Sequence, residues 1–206
     1  MRIRWPQLRD PAVSLPGPDH PNTIRVAGHI IDHARAGRKA LAAAQMSEAK
    51  YHRDFCSWLL WRLGVDGITS DGQLRYDAAK YETRLPGRLS TEAARAVRES
   101  PSFARRAQGA LGIHVACDHI VPRNCVAEAL ISPGWIDLDD EAVARAFVIT
   151  HAEVAILSPE ENLRLQKAGW ESDIPDVWWN APIQEKQEHR MARYEAIGLV
   201  VTPWKR

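Results

Sequence analysis

Two places in this 206-residue chain carry side chains whose types could do chemistry together: Asp118-His119, within GIHVACDHIVP (residues 112–122), and Asn162, within AILSPEENLRLQK (residues 155–167). A carboxylate offers hard oxygen to a divalent ion such as Mg²⁺, and an imidazole is a base poised near neutral pH. An amide oxygen adds a second ligand. Because Mg²⁺ keeps most of its waters, one carboxylate and one amide suffice. Hydrolysis of a phosphodiester needs an activated water, a cation on the scissile phosphate and help for the departing oxygen, and this set addresses the first two. Arg123, Arg164 and Lys167 stand close in sequence and could clamp phosphate oxygens.

The elements that must hold these groups are partly written in local signals. Residues 113–121 are β-rich and close at Pro122, as a buried strand or hairpin arm does. Neighbouring residues of a strand point to opposite faces, so Asp118 and His119 share a site only if the strand bends there. Residues 124–150 contain a short apolar helical turn (126–131), a Ser-Pro-Gly turn, and Asp139-Asp140 capping the amphipathic helix EAVARAFVITHA. Residues 153–157 form a short apolar strand. Ser158-Pro159-Glu160-Glu161 is a capping box with proline at the first helical position, the most specific local signal in the chain. The helix it starts runs to about Ala168, stops at Gly169, and holds Asn162 in its first turn.

The order strand–DHIVP, spacer, strand, turn and asparagine-bearing helix resembles the HNH, or ββα-metal, endonucleases. It is most similar to the HNH domain of RNA-guided CRISPR endonucleases, whose motif also opens DHIVP and ends in asparagine. The resemblance covers residues 112–175. It implies that His119 is the general base, that Asp118 and Asn162 are metal ligands, and that the cofactor is Mg²⁺ or Mn²⁺. The implied activity is hydrolysis of DNA phosphodiester bonds in a restriction, phage or defence setting, with DNA as partner and room for a homodimer. The family places an asparagine on the second strand to orient the base. Here Glu153 stands at that position with His151 close by, and the spacer is longer and more helical than in many members.

Composition sets the frame. Apolar residues make up 45% and charged residues 26%, the balance of an ordinary globular chain. No run reaches the roughly 18 apolar residues of a membrane span, and MRIRWPQLRD lacks a secretory apolar region, so a cytoplasmic protein without a membrane partner is expected. Cys56, Cys117 and Cys125 are too few and too scattered for a disulfide framework, and they read as buried thiols. His114, Cys117, His119, Cys125 and His151 match no common zinc spacing. Net charge is +1, but residues 1–124 hold 19 Lys and Arg against 12 Asp and Glu, leaving the remainder at 8 against 14. A basic N-terminal half is compatible with a polyanionic partner.

That half reads as helical. Residues 1–22 are a proline-rich arm whose Arg2, Arg4 and Arg9 could touch phosphate. Helix formers fill residues 33–49, and Ser47 is placed to cap a second helix through Gly64. On it Tyr51, Phe55, Leu59 and Leu63 recur at i+4, beside Trp58 and Leu60, as a core face. Residues 75–88 interleave aromatic and basic side chains, and helices are expected over residues 91–99 and 101–111. Residues 170–180 read as an irregular loop, residues 182–197 as a last amphipathic helix, and LVVTPWKR as an edge strand. The expected fold is α+β: a mostly helical protein with a ββα-metal (HNH-like) core in its C-terminal half. Its parts are a basic helical region (1–111) and a nuclease-like region with a helical insert and C-terminal helix (112–206). Two rival functions stand beside the nuclease. One is a non-catalytic nucleic-acid-binding module with a degenerate ββα element. The other is a protein-interaction module that exposes an apolar patch built from Trp178 and Trp179.

Overall fold

A computed structural model describes residues 21–65, 67–68, 74–75, 88–90 and 116–203. The arm over residues 1–20, most of the aromatic-basic segment 75–88 and the helices expected over residues 91–111 lie outside the described residues. The chain opens with α1 (Pro21–Ala42) and α2 (Met46–Val65). Proline is at home at the first position of α1, where its missing N–H has no intrahelical partner to lose. One stripe of α1 carries Val26, Ala27, Ile30, Ile31 and Ala34, all buried, and it faces Cys56, Leu59, Leu60 and Leu63 of α2. The helix-forming stretch over residues 33–49 is not continuous. Ala44 takes a left-handed φ of 57°, while the Ala43 and Gln45 amides donate to the Lys39 and Ala40 carbonyls. Glycine usually fills such a position, so the sequence did not announce the break. Ser47 consequently lies inside the first turn of α2. The expected core face of α2 is also corrected: Tyr51 and Trp58 are 58% and 46% exposed, because they lie on a different stripe from Leu59, Leu60 and Leu63.

Two short strands, β1 (Gly67–Ile68) and β2 (Leu74–Arg75), pair antiparallel after α2. Next come β3 (Arg88–Ser90), β4 (Ala116–His119), α3 (Arg123–Ile131), α4 (Glu141–His151), β5 (Val154–Leu157) and α5 (Pro159–Lys167). The Asp140 side chain caps α4 by accepting from the Ala142 and Val143 amides. Ser158 and Glu161 form the reciprocal capping box that starts α5. Gly169, at φ 82°, ends it. The chain closes with α6 (Asp176–Asn180), α7 (Ala192–Glu195) and β6 (Val201–Pro203).

The four-stranded sheet has the order β4-β5-β3-β6. β4 and β5 are antiparallel, with Asp118 opposite Ala155 and His119 opposite Val154, and α5 follows β5 after a single residue. β3 runs parallel to β5 and antiparallel to β6. A strand from the first 111 residues therefore sits between two strands of the remainder. The large core is likewise shared: Ile30 and Leu60 pack with Val126, Leu130, Phe147, Val148 and Trp178. The division drawn between residues 111 and 112 is not matched by a division of the core. The described architecture is α+β and mostly helical, with a small mixed sheet.

The C-terminal segment departs from its local pattern. A short helix, α6, replaces the irregular loop over residues 176–180. Successive i to i+3 turns replace most of the helix expected over residues 182–197, such as Glu185 N–H to the Pro182 carbonyl and Glu188 N–H to the Glu185 carbonyl. Three basic side chains are drawn to separate inward partners. Lys186 donates to the Trp178 and Trp179 carbonyls at 2.6 and 3.1 Å, Arg190 pairs with Glu153 at 2.6 Å, and Arg193 enters the sheet edge. Those tertiary contacts override helix propensity, which is a weak prior. Trp178 is fully buried and Trp179 partly so, so the pair does not form an exposed apolar patch. Among the described residues no helix is long and apolar enough to cross a membrane.

Candidate active site

β4 ends at His119, and the chain bends at Ile120 and Val121 before Pro122 leads into α3. Asp118 and His119 both precede the bend and stay paired in register with β5, on opposite faces of β4. Asp118 and His119 line one cavity of about 410 Å³, and Asn162 from the first turn of α5 lines it too, with Trp61 of α2, Arg123 and Glu171.

His119 belongs to the side of β4 that faces α2. It is 5% exposed, its ring lies 5.4 Å from that of Trp61, and its Nε2 is 3.3 Å from the Leu60 carbonyl oxygen. A carbonyl can only accept, so Nε2 carries the hydrogen and the lone pair of the neutral ring falls on Nδ1. Burial pushes the imidazole down to about 4, against the Leu60 hydrogen bond and the Asp118 charge; Arg123 and Arg193 lower it further. The ring is therefore neutral across the physiological range, with Nδ1 able to accept a proton.

Asp118, on the other face of β4, is held from the C-terminal segment. The Tyr194 hydroxyl donates to its Oδ2 at 2.5 Å, and the Arg193 guanidinium pairs with the same oxygen. Arg193 is fully buried and donates also to the carbonyls of Ile120 (2.9 Å), Trp170 (2.6 Å) and His119. Burial opposes its charge, but Tyr194 and Asp118 outweigh that and hold the guanidinium above its ordinary value. Burial, reinforced by Asp118, holds the Tyr194 phenol well above its ordinary value, so it stays a donor. Among the described residues, both contacts to the Asp118 carboxylate fall on Oδ2, which leaves Oδ1 for another partner.

The remaining candidates separate. Arg123 lines the cavity with its guanidinium 5.4 Å from the Trp61 ring centroid. Arg164 and Lys167 are two and five residues beyond Asn162, on other sides of α5. Both are exposed and neither lines the cavity; Arg164 donates instead to the Ile197 carbonyl. Glu153 and His151 do not reach His119. The Ile120 amide donates to the Glu153 carbonyl, so Glu153 extends the pairing opposite Ile120, on the face away from His119, and its carboxylate pairs with Arg190. The His151 Nδ1 donates to the Phe147 carbonyl at 2.9 Å, and its ring is buried against Phe147 and Trp178. The group that fixes the His119 ring is thus the Leu60 carbonyl, which no side-chain signal marks. Glu171 at the rim and the Arg193–Tyr194 clamp were also missed, since both come from segments read only as loop and apolar helix.

The donor set suits a hard divalent cation. Asp118 and Asn162, whose side chains carry oxygen donors, both line one cavity of about 410 Å³. Among the described residues no three His, Cys, Asp or Glu side chains gather to hold an ion. Cys56 and Cys125 are buried free thiols, pushed up to about 12 by burial. No protein-family model, no curated protein and no solved structure matches the chain.

Proposed function

We propose that the chain is a divalent-cation-dependent endonuclease of the HNH, ββα-metal type, hydrolysing DNA phosphodiester bonds. One observation carries the reading. Asp118, His119 and Asn162 line a single cavity, and the elements bearing them follow as strand, antiparallel strand and helix. Asp118 Oδ1 and the Asn162 amide oxygen would hold Mg²⁺ or Mn²⁺, which when bound supplies Lewis-acid stabilisation of the phosphate and leaving oxygen. His119 accepts a proton from water at Nδ1, while Leu60 keeps the opposite nitrogen protonated. The water oxygen bonds to phosphorus, the P–O3′ bond breaks with its electron pair on the oxygen, and that oxygen takes a proton from solvent. Arg123 supplies N–H donors to the non-bridging oxygens as their charge grows. The Trp61 ring limits how His119 can turn.

The test is nicking of supercoiled plasmid by the purified chain with Mg²⁺ or Mn²⁺, beside His119→Ala. Intact plasmid with wild type, or equal cutting by the variant, removes the proposal. One observation favours a second reading, a DNA-binding module without cleavage: the Asp118 carboxylate already neutralises a buried guanidinium. Salt-sensitive DNA binding with no cleavage under any divalent ion supports that alternative.

A further inference from the structure

A pair of imidazoles faces across the α1–α2 hairpin, on residues the candidate active site does not use. His33 Nδ1 lies 3.0 Å from His52 Nδ1. The His33 ring stacks on Phe55 with centroids 4.1 Å apart. Gly37 lets the helices approach beside the pair, since a Cβ there would stand 3.2 Å from the His52 Cβ and 3.0 Å from the Ile131 Cγ2. On the far side of the His52 ring, Nε2 faces the Glu48 carboxylate at 4.0 Å, one turn earlier on α2. A carboxylate on the outer nitrogen favours the Nε2–H tautomer and puts the lone pair on Nδ1, the arrangement found behind metal-bound histidines.

The separation, that of an N–H···N hydrogen bond, also admits an ion bound by the two nitrogens. Bonds of about 2.0–2.1 Å from each nitrogen to a metal, spanning the observed 3.0 Å, enclose an angle of about 90°. That is the cis angle of a square-planar or octahedral ion; a tetrahedral one would need about 3.4 Å between the nitrogens. We infer that His33 and His52 form a binding site for a divalent transition metal preferring cis nitrogen ligands, Ni²⁺ or Cu²⁺, with water completing the shell.

Ni²⁺ titrated calorimetrically into the full chain is expected to fill one site, and the apparent Tm to rise with it. His33→Ala and His52→Ala, checked for native circular dichroism, are each expected to weaken Ni²⁺ binding at least tenfold. Excess Mg²⁺, the ion proposed for the cavity, is expected not to displace Ni²⁺, separating this site from the cavity. Cu²⁺ on wild type gives a readout independent of any variant: an electron paramagnetic resonance spectrum with coupling to at least two nitrogens. No bound Ni²⁺, undiminished binding by both histidine variants, or a Cu²⁺ spectrum without nitrogen coupling overturns the inference and leaves a pair of imidazoles sharing one proton.

Discussion

Replacing Asp118 with alanine tests both what holds the cavity and what the carboxylate is for. Arg193 is fully buried and has four acceptors, the carbonyls of Ile120, His119 and Trp170 and the Asp118 carboxylate. Only the last is anionic. Asp118→Ala leaves the guanidinium with neutral acceptors and strips the Tyr194 hydroxyl of its partner. Removing one member of a buried pair costs about 3–5 kcal/mol. Because Asp118 borders the cavity, water can enter and solvate part of what is exposed, so a value near the lower end, about 3 kcal/mol, is expected. Against a total stability of about 5–15 kcal/mol, that is enough to thin the folded population at 37 °C. Asp118→Asn keeps an oxygen for Tyr194 or Arg193 and loses only the charge, so it should cost roughly half as much. Urea denaturation at pH 7 with an unchanged m value measures both. If Asp118→Ala unfolds within about 1 kcal/mol of wild type, the Arg193 charge is compensated elsewhere and the reasoning fails. For the nuclease reading, only the asparagine variant is informative: folded but inactive toward plasmid with Mg²⁺ is the expected result.

Four further outcomes follow from the same geometry. His119 and His151 are both held near 4 by burial, below the ordinary 6.5, so each is neutral in the native state where the unfolded chain takes up a proton. Their stabilisation is complete above pH 6.5 and drains as pH falls toward 4, by about 3 kcal/mol each; urea midpoints across that range should fall, and less steeply for His151→Gln. In the phosphate clamp, Arg123→Ala should weaken DNA substrate binding about tenfold or more, whereas Arg164→Ala and Lys167→Ala should each change it less than twofold, as measured by KM or direct titration. Ser158→Ala should cost about 1 kcal/mol in urea unfolding and, by loosening the first turn of α5, reduce Mg²⁺-dependent cleavage through Asn162; unchanged stability would dismiss the cap as a positioning device. Finally, kcat/KM per folded molecule should show no rise centred on pH 6.5, because His119 in the free protein is neutral well below it; such a rise would mean that His119 is solvated before substrate binds.

What the sequence made legible was local. The capping box at Ser158, the Asp140 cap, the Gly169 stop and the strand on each side of the spacer all rest on residues within a few positions of one another, and all are present. That Asp118, His119 and Asn162 line one cavity was legible because they sit at element ends marked by such signals. What escaped was contributed from far along the chain. The Leu60 carbonyl is 59 residues from His119, and the Arg193 and Tyr194 side chains are 75 and 76 residues from Asp118. No periodicity encodes a backbone carbonyl turned to a distant ring, and an arginine in an amphipathic pattern looks like a solvated residue until its acceptors are known. The break at Ala44 escaped for the opposite reason: alanine in a left-handed conformation contradicts its own propensity.

The two faces of β4 give the candidate site a mechanical logic. Asp118 is held by Arg193 and Tyr194 of the C-terminal segment and His119 by α2, so the two side chains are set by different parts of the fold and both line one cavity. The same burial that orients His119 lowers its basicity, and the flanking Arg123 and Arg193 charges add to that effect. A phosphodiester entering the cavity brings negative charge beside both arginines and the imidazole. That charge offsets the first two and favours a protonated third, so the base gains strength when substrate is present. A free enzyme with a weak base and a substrate complex with a stronger one would spend little of its time protonated and unproductive. The reasoning requires the His119 titration, followed by its ring proton resonances, to move upward from about 4 when a non-cleavable phosphorothioate oligonucleotide is added. A titration that stays put would assign His119 to the packing of α2 against the sheet and leave catalysis without a base.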